Sequence, residues 1–203
     1  TNDMLFQYFV PVPPNLYYLA WLNLGKMKNS GLELTLNYNV INGPDFSYSI
    51  NLTRSHNLKN ILVSLSGTYN GTELEYGIRY FGDMGSPGHG GQPLIKSEEG
   101  KPIGQLIAYV FKGIDENGNL LLKDQNGDGA IDSRDWAVVG NGLPESLMGF
   151  GNTLTYKKWD LNIFFRGVFG HDLLNSYRGF YEVPNYIAYY NLPKTAANMR
   201  NTA

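Results

Sequence analysis

Within the segment 31–41, residues 32–40 alternate strictly between apolar and polar side chains, with a period of two. The apolar set is Leu32, Leu34, Leu36, Tyr38 and Val40, and the polar set is Glu33, Thr35, Asn37 and Asn39. Successive side chains of a β-strand point to opposite faces of the sheet, so this spacing predicts a strand with one apolar and one polar face. A helix is excluded here, because its apolar positions would recur every three or four residues.

Three further segments show the same alternation and predict two antiparallel hairpins. Residues 42–45 form an Asn-Gly-Pro-Asp turn, and residues 46–53 alternate again after it. A second pair, residues 149–156 and 159–166, is joined by two lysines, and Phe164 interrupts its polar face. Another strand is predicted at residues 4–10, and the proline-rich stretch 9–21 is expected to be an extended, rigid loop.

The connections between these strands are short at one end of the predicted sheet and long at the other. The long ones are residues 55–144 and the tail from residue 170 onward. Transmembrane β-barrels of the outer membrane have this asymmetry, with short periplasmic turns and long extracellular loops. We therefore predict an all-β fold, a segment of a large antiparallel transmembrane β-barrel. Since closure takes about eight strands, four or five make only a fragment.

This prediction divides the chain into four parts. Residues 1–54 hold barrel strands with a short periplasmic turn, and residues 55–146 form a long extracellular excursion with a hairpin at 107–122 and a calcium loop. Residues 147–170 form a second barrel hairpin, and residues 171–203 form an aromatic-rich extracellular loop. No charged and then apolar leader segment is found at residue 1, so the start of this sequence is expected to be internal to a longer chain or already processed.

Composition excludes several classes of function. The net charge is -2 and the 16 lysines and arginines are dispersed, so no basic stripe predicts nucleic-acid binding. The absence of cysteine excludes disulfide scaffolds, thiol nucleophiles and cysteine-bound zinc. The three histidines lack metal-ligand spacing, and no serine lies in a nucleophile elbow. We therefore expect no enzyme.

Residues 124–135 match the twelve-residue calcium loop of EF-hand proteins. Calcium prefers six to eight oxygen ligands, and alternate acidic and amide residues wrap around one point when a glycine makes the sharp turn at position 6. The ligands expected are Asp124, Asn126, Asp128, the carbonyl of Ala130, Asp132 and Asp135. The flanking sequence predicts a strand rather than a helix, so structural Ca²⁺ is the expected cofactor, with a metal-free polar turn as the alternative.

The tail is dense in aromatic side chains that suit either of two roles. They could stack on sugars or form a partner interface, or they could form the aromatic rim of a barrel. The candidate contact residues are Tyr177, Phe180, Tyr181, Tyr186 and Tyr189.

Several motifs taken in order resemble one family, the SusC/RagA type of TonB-dependent outer-membrane transporter. They are DMLF at residues 3–6, VPVP at 10–13, NSGLEL at 29–34, GKPIG at 100–104, YVFKGI at 109–114, the acidic loop at 124–132, VGN at 139–141, Pro144, WDLNIFFRG at 159–167 and GHD at 170–172. The resemblance implies the C-terminal barrel portion of a plugged transporter in the outer membrane of a Gram-negative bacterium. It also implies import of oligosaccharides or peptides, energy from TonB and a SusD-like lipoprotein lid. The plug, the TonB box and the final strands of that family are not found in this sequence.

In this interpretation the lipid-facing residues are Leu32, Leu34, Leu36, Tyr38, Ile50, Leu52, Leu161, Ile163 and Phe165. The partners expected are the lipid bilayer, the lipoprotein lid, a glycan or peptide substrate, and the TonB system through parts of a longer chain. The alternative is a secreted, calcium-dependent carbohydrate-binding β-sandwich, which would bury its apolar faces against each other.

Overall fold

A computed structural model of the chain describes residues 4–83, 85, 91–183 and 191–198. The described residues form two compact units. One comprises the described parts of Thr1–Gly77, with Glu98–Ile103 and Leu143–Asp172. The other comprises those of Ile78–Ser97, Gly104–Gly142 and Leu173–Ala203. Most of the ordered backbone is strand, as the sequence predicts.

The strands in chain order are β1 (Leu5–Phe9), β2 (Leu19–Asn23), β3 (Lys26–Asn42), β4 (Phe46–Ser64), β5 (Ser66–Tyr69), β6 (Thr72–Glu75), β7 (Ile78–Phe81), β8 (Ile95–Glu98), β9 (Gln105–Ala108), β10 (Phe111–Ile114), β11 (Leu120–Leu122), β12 (Ala137–Asn141), β13 (Ser146–Tyr156) and β14 (Trp159–Phe169). One α-helix, α1, spans Ser176–Tyr181, and 3₁₀ turns occur at Ser133–Asp135 and Lys194–Asn198. Among the described residues, no helix has the length and apolar character needed to cross a membrane.

The first unit is built on an antiparallel sheet with the strand order β14-β13-β4-β3. Both predicted hairpins are present, and β4 pairs with β13 along its first eleven residues, from Phe46↔Tyr156 to His56↔Ser146. β3 and β4 are longer than predicted, with 17 and 19 residues. Alternation weakens beyond Thr53, yet the backbone ladder continues, because strand pairing needs only N–H and C=O groups on the neighbouring chain.

The two short turns of this sheet lie side by side at the same end. The backbone N–H of Lys157, in the turn between β13 and β14, donates to the carbonyl of Asp45, in the turn between β3 and β4, at 2.8 Å. Lys157 adopts φ 54°, as tight hairpin turns require. The long connection from β4 to β13 therefore leaves from the opposite end, as the connection lengths predict.

One residue of β3 departs from the predicted alternation. The register shifts between Asn39 and Ile41, and Ile41 takes the paired position opposite Tyr48. Val40 is the extra residue of a β-bulge, which moves the following side chain to the other face. Two residues of β3, Val40 and Ile41, therefore oppose Tyr48, and Ile41 joins the apolar face, which alternation alone does not predict.

Two small hairpins complete the first unit. β1 pairs with β2 from Leu5↔Asn23 to Phe9↔Leu19, so residues 19–21, predicted as part of a rigid loop, are strand. β5 and β6 are joined by the Asn70-Gly71 turn. The buried apolar side chains of this unit are Val10, Leu24, Leu62 and Leu65.

The second unit contains a sheet with the order β12-β9-β8-β7 and the separate hairpin β10-β11. The predicted hairpin between 107–114 and 120–122 is only partly correct. Phe111–Ile114 does pair with Leu120–Leu122, whereas Ile107 belongs to β9 and pairs with Val138 of β12. Ile107 is buried, and the Trp136 ring contacts the rings of Tyr80 and Tyr109 with centroids 5.4 and 6.2 Å apart.

Candidate functional site

The sheet β14-β13-β4-β3 has one apolar face, and most of the side chains on that face are exposed. Cross-strand pairs place the residues predicted to face lipid in rows across the sheet, and in one such row Leu36, Leu52 and Phe165 lie with Phe150. Leu34 is 57% exposed and Phe165 is 59% exposed. A β-sandwich would bury such a face against a second sheet, so the exposure argues against the alternative fold.

The lower boundary of this apolar face carries aromatic rings. Phe46, Tyr156 and Trp159 form one row at the short-turn end, and the Phe46 and Tyr156 rings lie 6.5 Å apart. Trp159 is 78% exposed. Aromatic side chains are enriched where a membrane protein crosses from hydrocarbon to water, because their rings are apolar and their edges polar.

The polar amide on the apolar face has a partner. Asn152 lies in the row of Ile50 and Ile163, and its Oδ1 accepts a hydrogen bond from the Tyr48 hydroxyl at 2.8 Å. A buried or lipid-facing amide without a partner would cost free energy, and this pair removes part of that cost.

The opposite face carries hydroxyl, amide and charged side chains that bond to one another across strands. Asn51 donates to Asn37 Oδ1 at 2.6 Å, and Thr153 donates to Asn162 Oδ1 at 2.8 Å. Such a face suits contact with water or with a polar ligand rather than with lipid.

A shallow depression of about 260 Å³ lies among the strands on this polar side. Its lining includes Glu33, Thr53, Arg166 and the ring of Phe164. Phe164, predicted only as an interruption of the polar pattern, packs against the glycine backbone: a β-carbon on Gly149 would lie 3.1 Å from its ring. The depression thus combines the aromatic surface of Phe164 with the carboxylate of Glu33 and the guanidinium of Arg166.

The acidic loop forms a compact turn that follows the predicted spacing. Gly127 and Gly129 adopt φ 76° and 83°, and their N–H groups donate to the two carboxylate oxygens of Asp124 at 2.6 and 2.8 Å. These backbone donors lower the pKa of Asp124, that of Gly129 most. Asp128 and Asn126 cap the next turns in the same way.

Asp135 closes the loop from inside. Its side chain is fully buried, and its two oxygens accept the N–H groups of Gln125 at 2.8 Å and Asp132 at 2.9 Å. Asp132 in turn caps the 3₁₀ turn Ser133–Asp135. The last position of the predicted loop therefore joins its beginning to its end.

The sequence analysis missed the role of Arg134. Its Nη2 lies 2.6 Å from Asp128 Oδ2 and 2.7 Å from Asp132 Oδ2, and the hydrogen bond from Arg134 lowers the pKa of Asp132. Two expected calcium ligands thus share a cation already present in the chain. Among the described residues, no three acidic or histidine side chains are gathered as ligands of one metal ion. The ligand types and backbone turns fit calcium, whereas these side chains point to Arg134.

The aromatic candidates of the tail are only partly described. The rings of Tyr177 and Tyr181 in α1 contact each other in a tilted arrangement with centroids 4.7 Å apart, and the Phe180 ring lies 5.0 Å from that of Tyr181. Tyr177 is exposed. Tyr186 and Tyr189 lie outside the described residues. The buried Glu182 caps the C-terminal end of α1 and accepts hydrogen bonds from Arg178 and Thr195. Both bonds lower the pKa of Glu182, and the bond from Thr195 has the larger effect.

Comparisons with known proteins agree with this architecture. The chain is 32% identical over 193 residues to TonB-dependent receptor P3 of Formosa agariphila, covering 86% of this chain and 18% of that receptor. It is 29% identical over 174 residues to TonB-dependent receptor SusC of Bacteroides thetaiotaomicron, covering 82% of this chain and 16% of the receptor. Comparison with protein-family profiles finds no match.

Among solved structures, the RagAB peptide transporter aligns with a TM-score of 0.60 and 18% identity, over 83% of this chain and 18% of that one. The chain thus spans less than a quarter of the proteins it matches. The antiparallel strand order and the exposed apolar face define the chain as a segment of a large outer-membrane β-barrel. It belongs to the SusC/RagA type of TonB-dependent receptors.

Proposed function

We propose that this chain is a wall segment of a TonB-linked transporter that imports oligosaccharides or peptides across the outer membrane of a Gram-negative bacterium. The apolar face of the sheet β14-β13-β4-β3 carries this proposal. From the Phe46 row to the Phe169 row, the strands rise about 33 Å at about 3.3 Å per residue. At a tilt of about 40°, this is about 25 Å of height, the thickness of the apolar band of outer-membrane barrels.

The edges of the sheet support a wall that continues beyond this chain. Among the described residues, β3 and β14 each pair on one side only. Both edge strands are long and exposed, an arrangement that would promote aggregation in a water-soluble sheet. Pairing with neighbouring barrel strands in a longer protein would satisfy their backbone groups.

The polar face is then the inner wall, and its chemistry suits a polar solute. The depression near Phe164 offers a ring for stacking, with Glu33 and Arg166 for hydrogen bonds or charge pairing. The similar RagAB protein is a peptide transporter, which supports peptides as a substrate class, and oligosaccharides are the other class that the family resemblance implies. Nothing in the site calls for a chemical reaction, so we propose transport rather than catalysis.

The partners follow from the same relatives. Similarity to SusC and to the RagAB peptide transporter supports the partner that the SusC/RagA resemblance implies, a SusD-like lipoprotein as a lid on the outer face. The relatives are named as TonB-dependent receptors, which supports TonB as the source of energy. In this proposal TonB acts through regions of a longer chain. The proposed contacts for substrate or lid are the clustered rings of Tyr177, Phe180 and Tyr181, with Tyr186 and Tyr189.

Structural Ca²⁺ in the acidic loop is part of the proposal. The ligands would be the oxygens of Asp124, Asn126, Asp128, Ala130, Asp132 and Asp135. Support comes from the two left-handed glycines and from the meeting of Asp128 and Asp132 on one cation, Arg134. Calcium would have to displace that guanidinium and draw the carboxylates inward.

Membrane fractionation of the source cells tests the transporter. An antibody against this chain should detect an outer-membrane band far larger than 22.7 kDa, with a mobility that changes on boiling. A water-soluble band near 22.7 kDa would contradict the proposal.

A further inference from the structure

The charged side chains on the apolar face all carry positive charge. Arg54 and Lys59 lie on β4 opposite Leu34 and Ser30, and Lys28 lies two residues before Ser30 on the same face of β3. All three cations are exposed. The two carboxylates of the four strands, Glu33 and Asp160, pair with Ser55 and Thr155 on the opposite face. The apolar face therefore carries positive charge alone, whereas the polar face carries Arg166 together with the two carboxylates.

These cations also lie at one end of the sheet. Arg54 is in the row just beyond the Leu36, Leu52, Phe150 and Phe165 row, on the side away from the short turns. At about 3.3 Å per residue and a tilt of about 40°, Arg54 lies about 20 Å above the aromatic row of Phe46. By the same measure Lys59 lies about 10 Å and Lys28 about 15 Å higher still.

Arg54 therefore lies just inside, and the two lysines just outside, the outer boundary of an apolar band about 25 Å tall. A long cationic side chain at that level can extend its charge toward the headgroups while its methylene groups stay against apolar neighbours. Basic residues beside a membrane attract anionic lipid headgroups, and arginine binds phosphate through paired hydrogen bonds. A protein partner would not explain why the cations continue the same face as the exposed apolar band.

We propose that Lys28, Arg54 and Lys59 form a basic rim that binds the phosphate groups of outer-leaflet lipids. The inference rests on the proposed barrel and its orientation, with the long connections outside. It names the lipid chemistry that the outer edge of this wall would select. It also assigns a role to the part of β4 that extends past the predicted strand.

Lipid binding by the purified full-length protein tests the rim. Phosphorylated lipid A and the same lipid after enzymatic dephosphorylation are the probes, and native mass spectrometry in a neutral detergent counts the bound molecules. The double variant Arg54→Gln/Lys59→Gln should bind phosphorylated lipid A about 20-fold to 30-fold more weakly. The control Lys112→Gln/Lys123→Gln removes the same charge from exposed positions of the other unit and should bind as the wild type does.

Two further variants distinguish a loss of lipid contacts from a general loss of folding. Lys28→Gln/Lys59→Gln leaves Arg54 in place and should lose part of the affinity, and Arg54→Lys should retain most of it. Equal binding by the double variant and its control, or equal binding of both lipid probes by the wild type, would overturn the rim. A wild-type protein absent from the outer membrane would instead overturn the proposed function.

Discussion

Tyr48 and Asn152 are joined across β4 and β13 by a hydrogen bond from the tyrosine hydroxyl to Asn152 Oδ1, 2.8 Å long, on the apolar face of the sheet. Tyr48→Phe would leave that amide without its partner beside apolar side chains. We expect a loss of about 1 to 3 kcal/mol in the free energy of unfolding, measured by urea titration of the full-length protein in detergent. The double variant Tyr48→Phe/Asn152→Leu removes both polar groups and should recover most of the loss.

Gly149 provides the gap that admits Phe164. A β-carbon there would lie 2.6 Å from Thr53 Oγ1 and 3.1 Å from the Phe164 ring. We expect Gly149→Ala to displace the ring and to lower stability by about 1 to 3 kcal/mol, as overpacking does. Gly77→Ala is the matched control, since nothing lies within 4 Å of its added carbon, and it should change stability by less than about 0.5 kcal/mol. Equal effects would contradict this account of Phe164.

The strands of the large sheet could be predicted because their two faces have different neighbours. Leu34 and Thr35 differ in polarity for that reason, and the period of two makes the difference visible in sequence. The bulge at Val40 could not be predicted, because a shift of register depends on the partner strand. Short strands such as β9 lack room for a pattern, and their pairing with β8 and β12 spans distant parts of the chain. The Asn70-Gly71 dipeptide is a hairpin signal that the sequence does carry, and it joins β5 to β6.

In the acidic loop, too, some features could be predicted from the sequence and others could not. The spacing of Asp124, Asn126 and Asp128 predicted a loop that the structure forms around their carboxylate and amide oxygens. The ion pairs of Arg134 were hidden, because its distance from Asp128 depends on how the loop turns. Calcium itself is a proposal that only a binding measurement can test.

A charge on the apolar face tests the membrane assignment directly. Ile163→Asp should destabilise the assembled barrel by about 2 kcal/mol near the midplane, because a lipid-facing carboxylate loses its hydration, and Leu34→Asp, in the row of Arg54 near the outer boundary, should cost less. Thr35→Asp is the control next to Leu34, on the polar face. The amount of heat-modifiable protein in the outer membrane measures assembly, and normal assembly of both apolar-face variants would contradict the assignment.

The acidic loop should lose order in acid. Hydrogen bonds from Gly129 and Gly127 hold the pKa of Asp124 below its ordinary value of 3.8. A carboxyl group whose pKa is lower in the folded state stabilises that state fully above 3.8, and the contribution is lost as the pH falls through the lower folded pKa. Protection of the Gly127 and Gly129 amides from hydrogen exchange, corrected for intrinsic rates and measured with a chelator present, should fall over that window. In Asp124→Asn it should be independent of pH there.

Arg134 and Ca²⁺ compete for the same carboxylates if calcium binds this loop. Removing the guanidinium frees Asp128 and Asp132, so Arg134→Gln should bind Ca²⁺ more tightly than the wild type, by about tenfold for each 1.4 kcal/mol of competition removed. Asp124→Asn weakens the first ligand and should bind less tightly. Calorimetry of the full-length protein measures both, with Lys112→Gln as a charge-matched control outside the loop. Tighter binding in Arg134→Gln together with weaker binding in Asp124→Asn would locate the ion among these side chains. No heat of binding at millimolar Ca²⁺ in any variant would leave Arg134 as the cation that holds the loop together.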